Sequence, residues 1–207
     1  NTDVLAACRA GHLPAIGLSG VDAALVSVKR RPPVAVHEPS SGATQEVDYG
    51  FVGDVVAVNP APVQHLLAGG YVPVVCSLAA DDAGQVYNVN ADTIASALAV
   101  ALKAAKYFLL TTVDGVMGDI NNPATLFSQL GMDDVAGLVA KGVIAGGMLP
   151  KMEACLAALR GGVDRVHIVN GATHNTLLAE VFTNSGCGTL ITARRNSCNG
   201  ADGVAPA

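Results

Sequence analysis

The sequence predicts an α/β fold in which helices cover both faces of an open, mostly parallel sheet. Apolar runs rich in Val, Ile and Leu recur without the polar alternation of a half-exposed strand. Helical patterns separate these runs, as they do where helices connect parallel strands. Hydrophobic residues make up 51% of the 207 positions and charged residues only 14%, so the chain can bury a large core.

The N-terminal part predicts a helix, a strand and then hairpins. A helical pattern covers residues 4–11, and a short buried strand follows within residues 14–20. Short β-rich runs then occupy residues 24–58 and are divided by prolines, glycines and a Ser40-Ser41-Gly42 turn. This arrangement is typical of antiparallel hairpins laid over a larger sheet.

From residue 59 onward the pattern alternates between helix and strand. Either Asn90 or Asp92 is expected to cap a helix that is apolar on nearly every side and therefore buried. Residues 118–142 predict one or two short helices, and the tail 194–207 is expected to be disordered. The remaining helices are predicted at 59–70, 90–106, 150–160 and 176–183, and the strands at 71–78, 107–113 and 165–169.

Composition excludes several classes of function. The net charge is −5 and the few basic residues form no stripe, which disfavours nucleic-acid binding. Residues 94–105 form the longest apolar stretch, but Ser96 and Lys103 interrupt it and it is too short to cross a bilayer. Cysteines without CxxC spacing and histidines without HxxxH spacing predict no metal held by protein ligands. Scattered thiols favour a reduced, cytoplasmic protein.

Lys151 stands behind a glycine pair at a helix start, in the stretch GGMLPK. Free amides and the helix dipole at such a start favour an anion. Gly146 and Gly147 allow a ligand close to the backbone, and the lysine adds a positive charge. GxxxxGK[ST] does not occur, so this is not a Walker A loop. On these residues alone, both phosphate binding and ordinary helix-start chemistry remain open.

Polar residues alternate in the stretch NVNAD. Asn88 and Asn90 point to the same side of an extended segment, and Asp92 follows at the entrance of the next helix. Such a set can hold a polar substrate and orient a cation. An Asx-rich turn that caps the helix explains the same residues.

The stretch TTVDGV follows an apolar strand at its carboxyl end, where open α/β sheets place their ligands. Thr111, Thr112 and Asp114 are therefore candidates for contact with a nucleotide. A polar cap between strand and loop explains them equally well.

Together these stretches resemble the amino acid kinase family, in particular its acetylglutamate kinase branch. The matching stretches occur in the family's order as far as about Ile191, and the pairing of NxNAD with GGMxPK is the most specific of them. The resemblance implies a three-layer α/β/α sandwich with an open, mostly parallel sheet. It further implies that residues 1–105 belong to an acetylglutamate-binding lobe and residues 106–193 form a nucleotide-binding lobe. The other matching stretches are GLSG, YGFVGDVVAVN, GGYVPVV, LLTTVDGV, VHIVNG and FTNSGCGTLI.

The resemblance also implies a reaction, namely the phosphorylation of the side-chain carboxylate of N-acetyl-L-glutamate by ATP with Mg²⁺ in arginine biosynthesis. By this resemblance Lys151 stabilises the transferring phosphoryl group and Asp92 holds the catalytic lysines in place. Asn88 and Asn90 help to seat the acetylglutamate. The implied nucleotide-binding residues are Thr111, Thr112, Asp114, Gly115, Gly146, Gly147 and Lys151.

The sequence departs from the family pattern at three places. The family's K-x-G-G turn with a second lysine, its Gly-Gly loop and its substrate-binding arginine do not occur, so the N-terminal strands of the pattern are not represented. Thr111-Thr112 replaces the usual Thr-Asp, and VNGA at 169–172 replaces IDGR. The early basic residues lie in the wrong context to substitute for the missing ones, and they are Arg9, Lys29, Arg30 and Arg31.

The family also suggests regulation and assembly. Arginine-inhibited members bind arginine near the C-terminal end, and Glu180, Gly186 and Gly188 match that region. The N-terminal helix that assists there does not occur in this sequence. The family core is a dimer and arginine-inhibited members are hexamers, so a homo-oligomer is expected.

Two other functions remain open from the sequence. The missing motifs allow a non-catalytic module that binds acetylglutamate, arginine or a nucleotide without turnover. The second alternative is another kinase of the same family that acts on aspartate, glutamate or a carrier-bound aminoadipate. The two asparagines of NVNAD favour acetylglutamate over these substrates.

Overall fold

The computed structural model describes residues 1–37, 44–183 and 186–194. The chain divides into two compact units with the boundary between Ala104 and Ala105. The turn predicted at Ser40-Ser41-Gly42 lies outside the described residues, as does the predicted tail beyond Arg194. Within the described segments, no helix combines the length and the apolar character that a bilayer crossing requires.

The first unit contains the predicted helices and hairpins, and one hairpin that was not predicted. Its helices are α1 (Thr2–Ala10), α2 (Ala61–Ala68) and α3 (Ala91–Ala101), with a 3-10 turn at Asp22–Ala24. Its strands are β1 (Ala15–Ser19), β2 (Val26–Arg30), β3 (Val34–His37), β4 (Thr44–Val47), β5 (Gly53–Val58), β6 (Val72–Cys76), β7 (Leu78–Ala80) and β8 (Val86–Asn88).

Three sheets organise the described residues of this unit. β1 pairs in parallel with β6, β3 pairs antiparallel with β4, and a four-stranded sheet has the order β5-β2-β7-β8. The antiparallel pairs β2–β5 and β3–β4 confirm the hairpins predicted for residues 24–58. The unpredicted hairpin β7–β8 turns around Asp81, whose Oδ1 accepts the amides of Ala83 and Gln85 at 3.0 and 2.9 Å.

Helix α3 begins at an asparagine cap and is buried on more than one side, since Ile94 and Ser96 are both buried and point in nearly opposite directions. The Asn90 side chain accepts the Thr93 amide at 3.1 Å, which confirms one of the two predicted caps. Ile94 and Leu98 pack in the core that also contains Leu25 and Val26 of the four-stranded sheet region. Residues 94–102 are all buried or half-buried, which confirms the predicted burial on nearly every side for this part of the helix. Only Ala91 and Thr93 in its first turn are exposed.

The second unit is built on a mixed four-stranded sheet with the order β10-β12-β11-β9. β9 pairs in parallel with β11 and β10 in parallel with β12, whereas β11 and β12 are antiparallel. The strands are β9 (Lys106–Thr111), β10 (Gln129–Gly131), β11 (Arg165–Asn170) and β12 (Thr189–Thr192). The helices are α4 (Met132–Ala140), α5 (Met148–Arg160) and α6 (Thr176–Phe182), with a 3-10 turn at Pro123–Thr125.

Strand β11 lies at the centre of the second core. Its residues 166–169 are all buried, although alternate side chains of a strand point to opposite faces. Both faces of the sheet are therefore covered at this strand, and α5 and α6 each contact it. Parallel strand pairs covered by helices confirm the predicted α/β class.

Candidate functional site

A cavity of about 640 Å³ lies in the second unit where β9 ends and α5 begins. Its walls come from the end of β9 and the loop after it (residues 111–120), the loop before α5 (residues 142–147) and the first turns of α5. Thr111, Thr112, Gly115, Gly147 and Lys151 line it, so most of the predicted nucleotide-side residues come together. Asp114 and Gly146 belong to the same two loops but are not among the lining residues.

Lys151 enters this cavity from the first turns of α5. The helix starts at Met148, two residues before the predicted start at Pro150. The amides of Met148 and Leu149 donate to the carbonyls of Ala145 and Gly146 at 3.2 and 3.1 Å, which closes a tight first turn. Pro150 is the third helical residue, where its missing N–H costs no intrahelical bond. The half-buried Lys151 side chain therefore starts one position later, on a helix that already exists.

The two glycines before α5 differ in what they require. Gly146 has φ +55°, a conformation that favours glycine, whereas Gly147 has an ordinary φ of −64°. A Cβ on either residue would meet no atom within 4 Å, so neither glycine is needed for packing. Among the hydrogen bonds of the described residues, the amides of Gly146 and Gly147 donate to no protein acceptor. Open space, amides without a protein acceptor and a nearby lysine suit an anionic ligand.

The TTVDGV loop is held by contacts to two strands. The Val116 amide donates to Thr189 Oγ1 on β12 at 2.9 Å, and the Asn170 side-chain amide at the end of β11 donates to Asp114 Oδ1 at 2.8 Å. Asn170 is the residue that replaces the family's aspartate in VNGA. Because an aspartate there would place two carboxylates together, the asparagine is the better partner for Asp114.

The NVNAD stretch lies in the first unit. Val89 is buried while Asn88 and Asn90 on either side of it are exposed, so the predicted alternation is confirmed. Asn90 caps α3, which satisfies the structural interpretation of that residue. Asp92 is half-buried in the first turn of the helix. The substrate and catalytic roles of Asn88, Asn90 and Asp92 stay predictions.

Two of the early arginines, Arg30 and Arg31, are engaged in ion pairs. Arg30 binds the Asp48 carboxylate at 2.7 Å, and Arg31 donates from Nε and a terminal nitrogen to Asp54 Oδ1 at 2.9 and 2.6 Å. These pairs give both side chains a structural role at the end of β2.

The predicted effector residues form a buried polar cluster. Glu180 Oε1 lies 2.8 Å from His167 Nδ1, and its Oε2 accepts the amides of Cys187 and Gly188 at 2.7 and 3.0 Å. The Glu180 and His167 side chains are only 6% and 8% exposed. Arginine binding at Glu180, Gly186 and Gly188 stays a prediction, and in this structure the carboxylate already has three protein partners.

Electrostatics in this cluster favour the carboxylate anion. Burial by itself raises the pKa of Glu180, but hydrogen bonds from the Cys187 amide, from His167 and from the Gly188 amide outweigh it and hold the pKa below its ordinary value. Burial and the charge of Glu180 raise the pKa of the Cys187 thiol. This thiol is therefore kept neutral, and its Sγ donates to the Thr176 carbonyl at 3.2 Å.

Sequence reasoning missed the roles of His167 and Thr189. A lone histidine within the apolar run RVHIV was a usable signal, since a buried imidazole needs a partner. His167 stacks on Phe108 with ring centroids 4.5 Å apart and pairs with Glu180. The contact of Thr189 with Val116 spans 73 positions, and no local pattern announces it.

A glycine-led helix with a lysine, placed beside the end of a parallel strand, is typical of α/β proteins that bind phosphate groups. Residues 1–170 match the model of the amino acid kinase family. The chain belongs to that family.

The chain is similar to curated acetylglutamate kinases. It is 47% identical over 204 residues to that of Myxococcus xanthus, covering 99% of this chain and 66% of the relative. It is 44% identical over 191 residues to that of Heliobacterium modesticaldum, covering 92% of this chain and 64% of the relative. The chain thus spans somewhat less than two thirds of these relatives' length.

A solved structure of another enzyme shares the fold. N-acetylglutamate synthase from Neisseria gonorrhoeae, complexed with coenzyme A and N-acetyl-glutamate, aligns with a TM-score of 0.73 and 27% identity. The alignment covers 91% of this chain and 40% of the synthase. Isopentenyl phosphate kinase aligns with a TM-score of 0.63 at 20% identity, which extends the likeness in fold alone.

Proposed function

We propose that this chain phosphorylates the side-chain carboxylate of N-acetyl-L-glutamate with ATP to form N-acetyl-glutamyl 5-phosphate in arginine biosynthesis. One observation carries the proposal: the GGMLPK stretch opens a cavity in which Lys151, Gly147 and the loop after β9 come together. The similarity to acetylglutamate kinases over almost the whole chain supports the choice of acceptor.

The cavity offers different surroundings to the two ends of a nucleotide. Val113, Met117, Val143 and Ile144 supply apolar wall, which suits a nucleobase. The glycine amides and Lys151 lie where the phosphates would be. An ammonium group and amide donors already in place stabilise the charge of a transferring phosphoryl group better than water does, because they need no reorganisation during the reaction.

In the reaction, a carboxylate oxygen of the acceptor attacks the γ-phosphorus of ATP. The new O–P bond forms as the bond to the bridging oxygen breaks, and ADP leaves with the electron pair. Phosphoryl transfer depends on alignment and charge neutralisation more than on covalent catalysis. Lys151 serves this need by reducing the repulsion between the anionic acceptor and the anionic phosphoryl group.

Mg²⁺ accompanies ATP in this proposal. Asp119 is the carboxylate in the cavity lining, and Mg²⁺ commonly binds one or two carboxylates together with substrate phosphates. When bound, the ion would neutralise phosphate charge.

The acceptor is assigned to the first unit. Asn88 and Asn90 lie on one exposed side of the chain around the buried Val89, and their amides suit the carboxylate and acetyl groups of acetylglutamate. We assign Asp92 the positioning of the catalytic lysines, by resemblance to the family.

The decisive test is a coupled ATPase assay on this chain with Mg²⁺. We expect ADP formation to require acetylglutamate, with aspartate and glutamate as matched acceptors that give much lower rates. A rate that does not depend on any acceptor would exclude the proposal. Equal or higher rates with aspartate or glutamate would instead favour a sibling kinase.

The second candidate is a module that binds its ligands without turnover. It is favoured by the likeness to N-acetylglutamate synthase, a protein that is not a kinase by name and was solved with N-acetyl-glutamate bound, and of which the alignment covers 40%. Calorimetry on the same chain separates the two functions. Binding of acetylglutamate or of an ATP analogue, together with no acyl phosphate after prolonged incubation with ATP, would establish the module.

Assembly, regulation and location complete the proposal. We assign the protein a homo-oligomeric state, inhibition by arginine and a cytoplasmic location, as expected from the acetylglutamate kinase relatives. Light scattering of the purified chain measures the oligomeric state. The activity assay with and without arginine measures the inhibition.

A further inference from the structure

Thr189 contacts residues that line the cavity but does not line the cavity itself. It is fully buried on β12, and its hydroxyl accepts the Val116 amide at 2.9 Å. Gly115 and Val116 line the cavity, whereas Thr189 does not. Any action of Thr189 on a ligand must therefore pass through these two loop residues.

The loop is also pressed tightly against this side chain. Gly115 has φ +152°, and a Cβ on it would lie 2.5 Å from Thr189 Oγ1. Only a glycine fits this approach, so the hydroxyl contacts the backbone of the loop at two successive residues. The position of the loop is thus set by the position of Thr189 Oγ1.

Thr189 and the two residues before it are held by contacts to β11 and α6. Its backbone pairs with Ile168 in the β11–β12 ladder. The preceding Gly188 lies so close to the Ile168 carbonyl that no side chain fits there. The Glu180 carboxylate, held by His167, accepts the amides of Cys187 and Gly188. A continuous series of contacts therefore connects Glu180, through Gly188 and Thr189, to Val116 in the cavity lining.

We propose that Thr189 is a positioning residue that holds the Gly115–Val116 segment in the shape that receives a nucleoside triphosphate. This inference rests on the proposed function for the identity of the ligand. The chemistry explains why position 189 carries a hydroxyl. The buried Val116 N–H needs an acceptor, which a serine at position 189 would keep and a valine at position 189 would remove.

The test compares Thr189→Val with Thr189→Ser and with a matched control, Thr192→Val. Thr192 is a buried threonine on the same strand, and its hydroxyl donates to the Arg194 carbonyl at 2.6 Å, away from the loop. Affinity for Mg²⁺ and the non-hydrolysable analogue AMP-PNP is measured by calorimetry on the whole chain. Exchange of the Val116 amide hydrogen is followed by NMR in the same variants.

We expect Thr189→Val to weaken AMP-PNP binding about tenfold and to speed Val116 amide exchange by about the same factor, as loss of one buried hydrogen bond predicts. Thr189→Ser and Thr192→Val should both stay close to wild type. Unchanged binding in Thr189→Val, or equal weakening in Thr192→Val, overturns the inference. If Thr189→Val does not fold, Thr189→Ala replaces it in the same comparison.

A wild-type chain that binds no AMP-PNP would count against the proposed function. Val116 amide exchange would then decide the positioning role alone. Faster exchange in Thr189→Val but not in Thr192→Val supports the role of Thr189 in holding the Gly115–Val116 segment. Unchanged exchange in both variants overturns that role.

Discussion

Lys151 is the residue on which turnover should depend most. Replacing it with alanine removes the ammonium from the cavity lining, and loss of one such electrostatic group typically lowers the rate about 100-fold or more. We therefore expect Lys151→Ala to lower acetylglutamate-dependent turnover by about 100-fold, measured as kcat in the coupled assay.

Lys106→Ala is the matched control for this change. Lys106 is an exposed lysine of the same unit, at the start of β9, whereas Thr111 at the end of that strand lines the cavity. Its variant should keep wild-type turnover. Wild-type turnover in Lys151→Ala would refute the role given to that lysine.

Glu180 should make the stability of the protein depend on pH in acid. Its folded pKa is held below the ordinary value of 4.5, so its contribution to the free energy of unfolding is fully present above that value. The contribution is lost as the pH falls through the lower, folded pKa. At pH 7 we expect Glu180→Gln to lower the free energy of unfolding by about 1–2 kcal/mol, and the difference from wild type should shrink in acid.

Urea unfolding at several pH values measures this difference. Glu153→Gln on the exposed side of α5 is the control and should follow the wild-type curve throughout. A difference between Glu180→Gln and wild type that stays constant with pH would show that the charge of this carboxylate is not what stabilises the fold.

At the scale of the element, the approach of β12 to β11 allows no side chain at Gly188. A Cβ there would contact the Ile168 carbonyl and lie 2.7 Å from Val169 Cγ1. Forced overpacking of this kind typically costs about 1–3 kcal/mol, and we expect Gly188→Ala to destabilise the chain by about that amount in urea unfolding.

Gly137 provides the opposite case within the same unit. It lies exposed inside α4 with nothing near its missing Cβ, so Gly137→Ala should stabilise the helix by about 0.5–1 kcal/mol. If both alanine variants change stability alike, close contact does not explain the glycine at position 188.

At the scale of the whole molecule, each ligand should protect its own unit. Hydrogen exchange followed by mass spectrometry reads both units in one experiment. AMP-PNP at ten times its Kd should slow exchange about tenfold in residues 111–120 and 142–151, and acetylglutamate should do the same around residues 86–92. Protection by AMP-PNP confined to the first unit would reverse the assignment of the two ligands.

Much of the fold could be predicted because it depends on neighbours along the chain. Three such features involve only residues close together in the sequence. They are the helix α3 with its Asn90 cap, the alternation around Val89 and the apolar residues of β11. Local propensity and periodicity report such relations directly. GGMLPK likewise placed Lys151 at a helix start, although the tight first turn moved that start to Met148.

The remainder depended on contacts between distant segments. Strands β7, β8 and β10 have three residues each, too few for a periodic signal, and they form because a neighbouring strand satisfies their backbone groups. The same reason distinguishes Lys151, which lines the cavity, from Thr189, which supports it without lining it. Lys151 and the glycines before it were visible in one short stretch, whereas Thr189 meets the loop only because β12 returns beside β11.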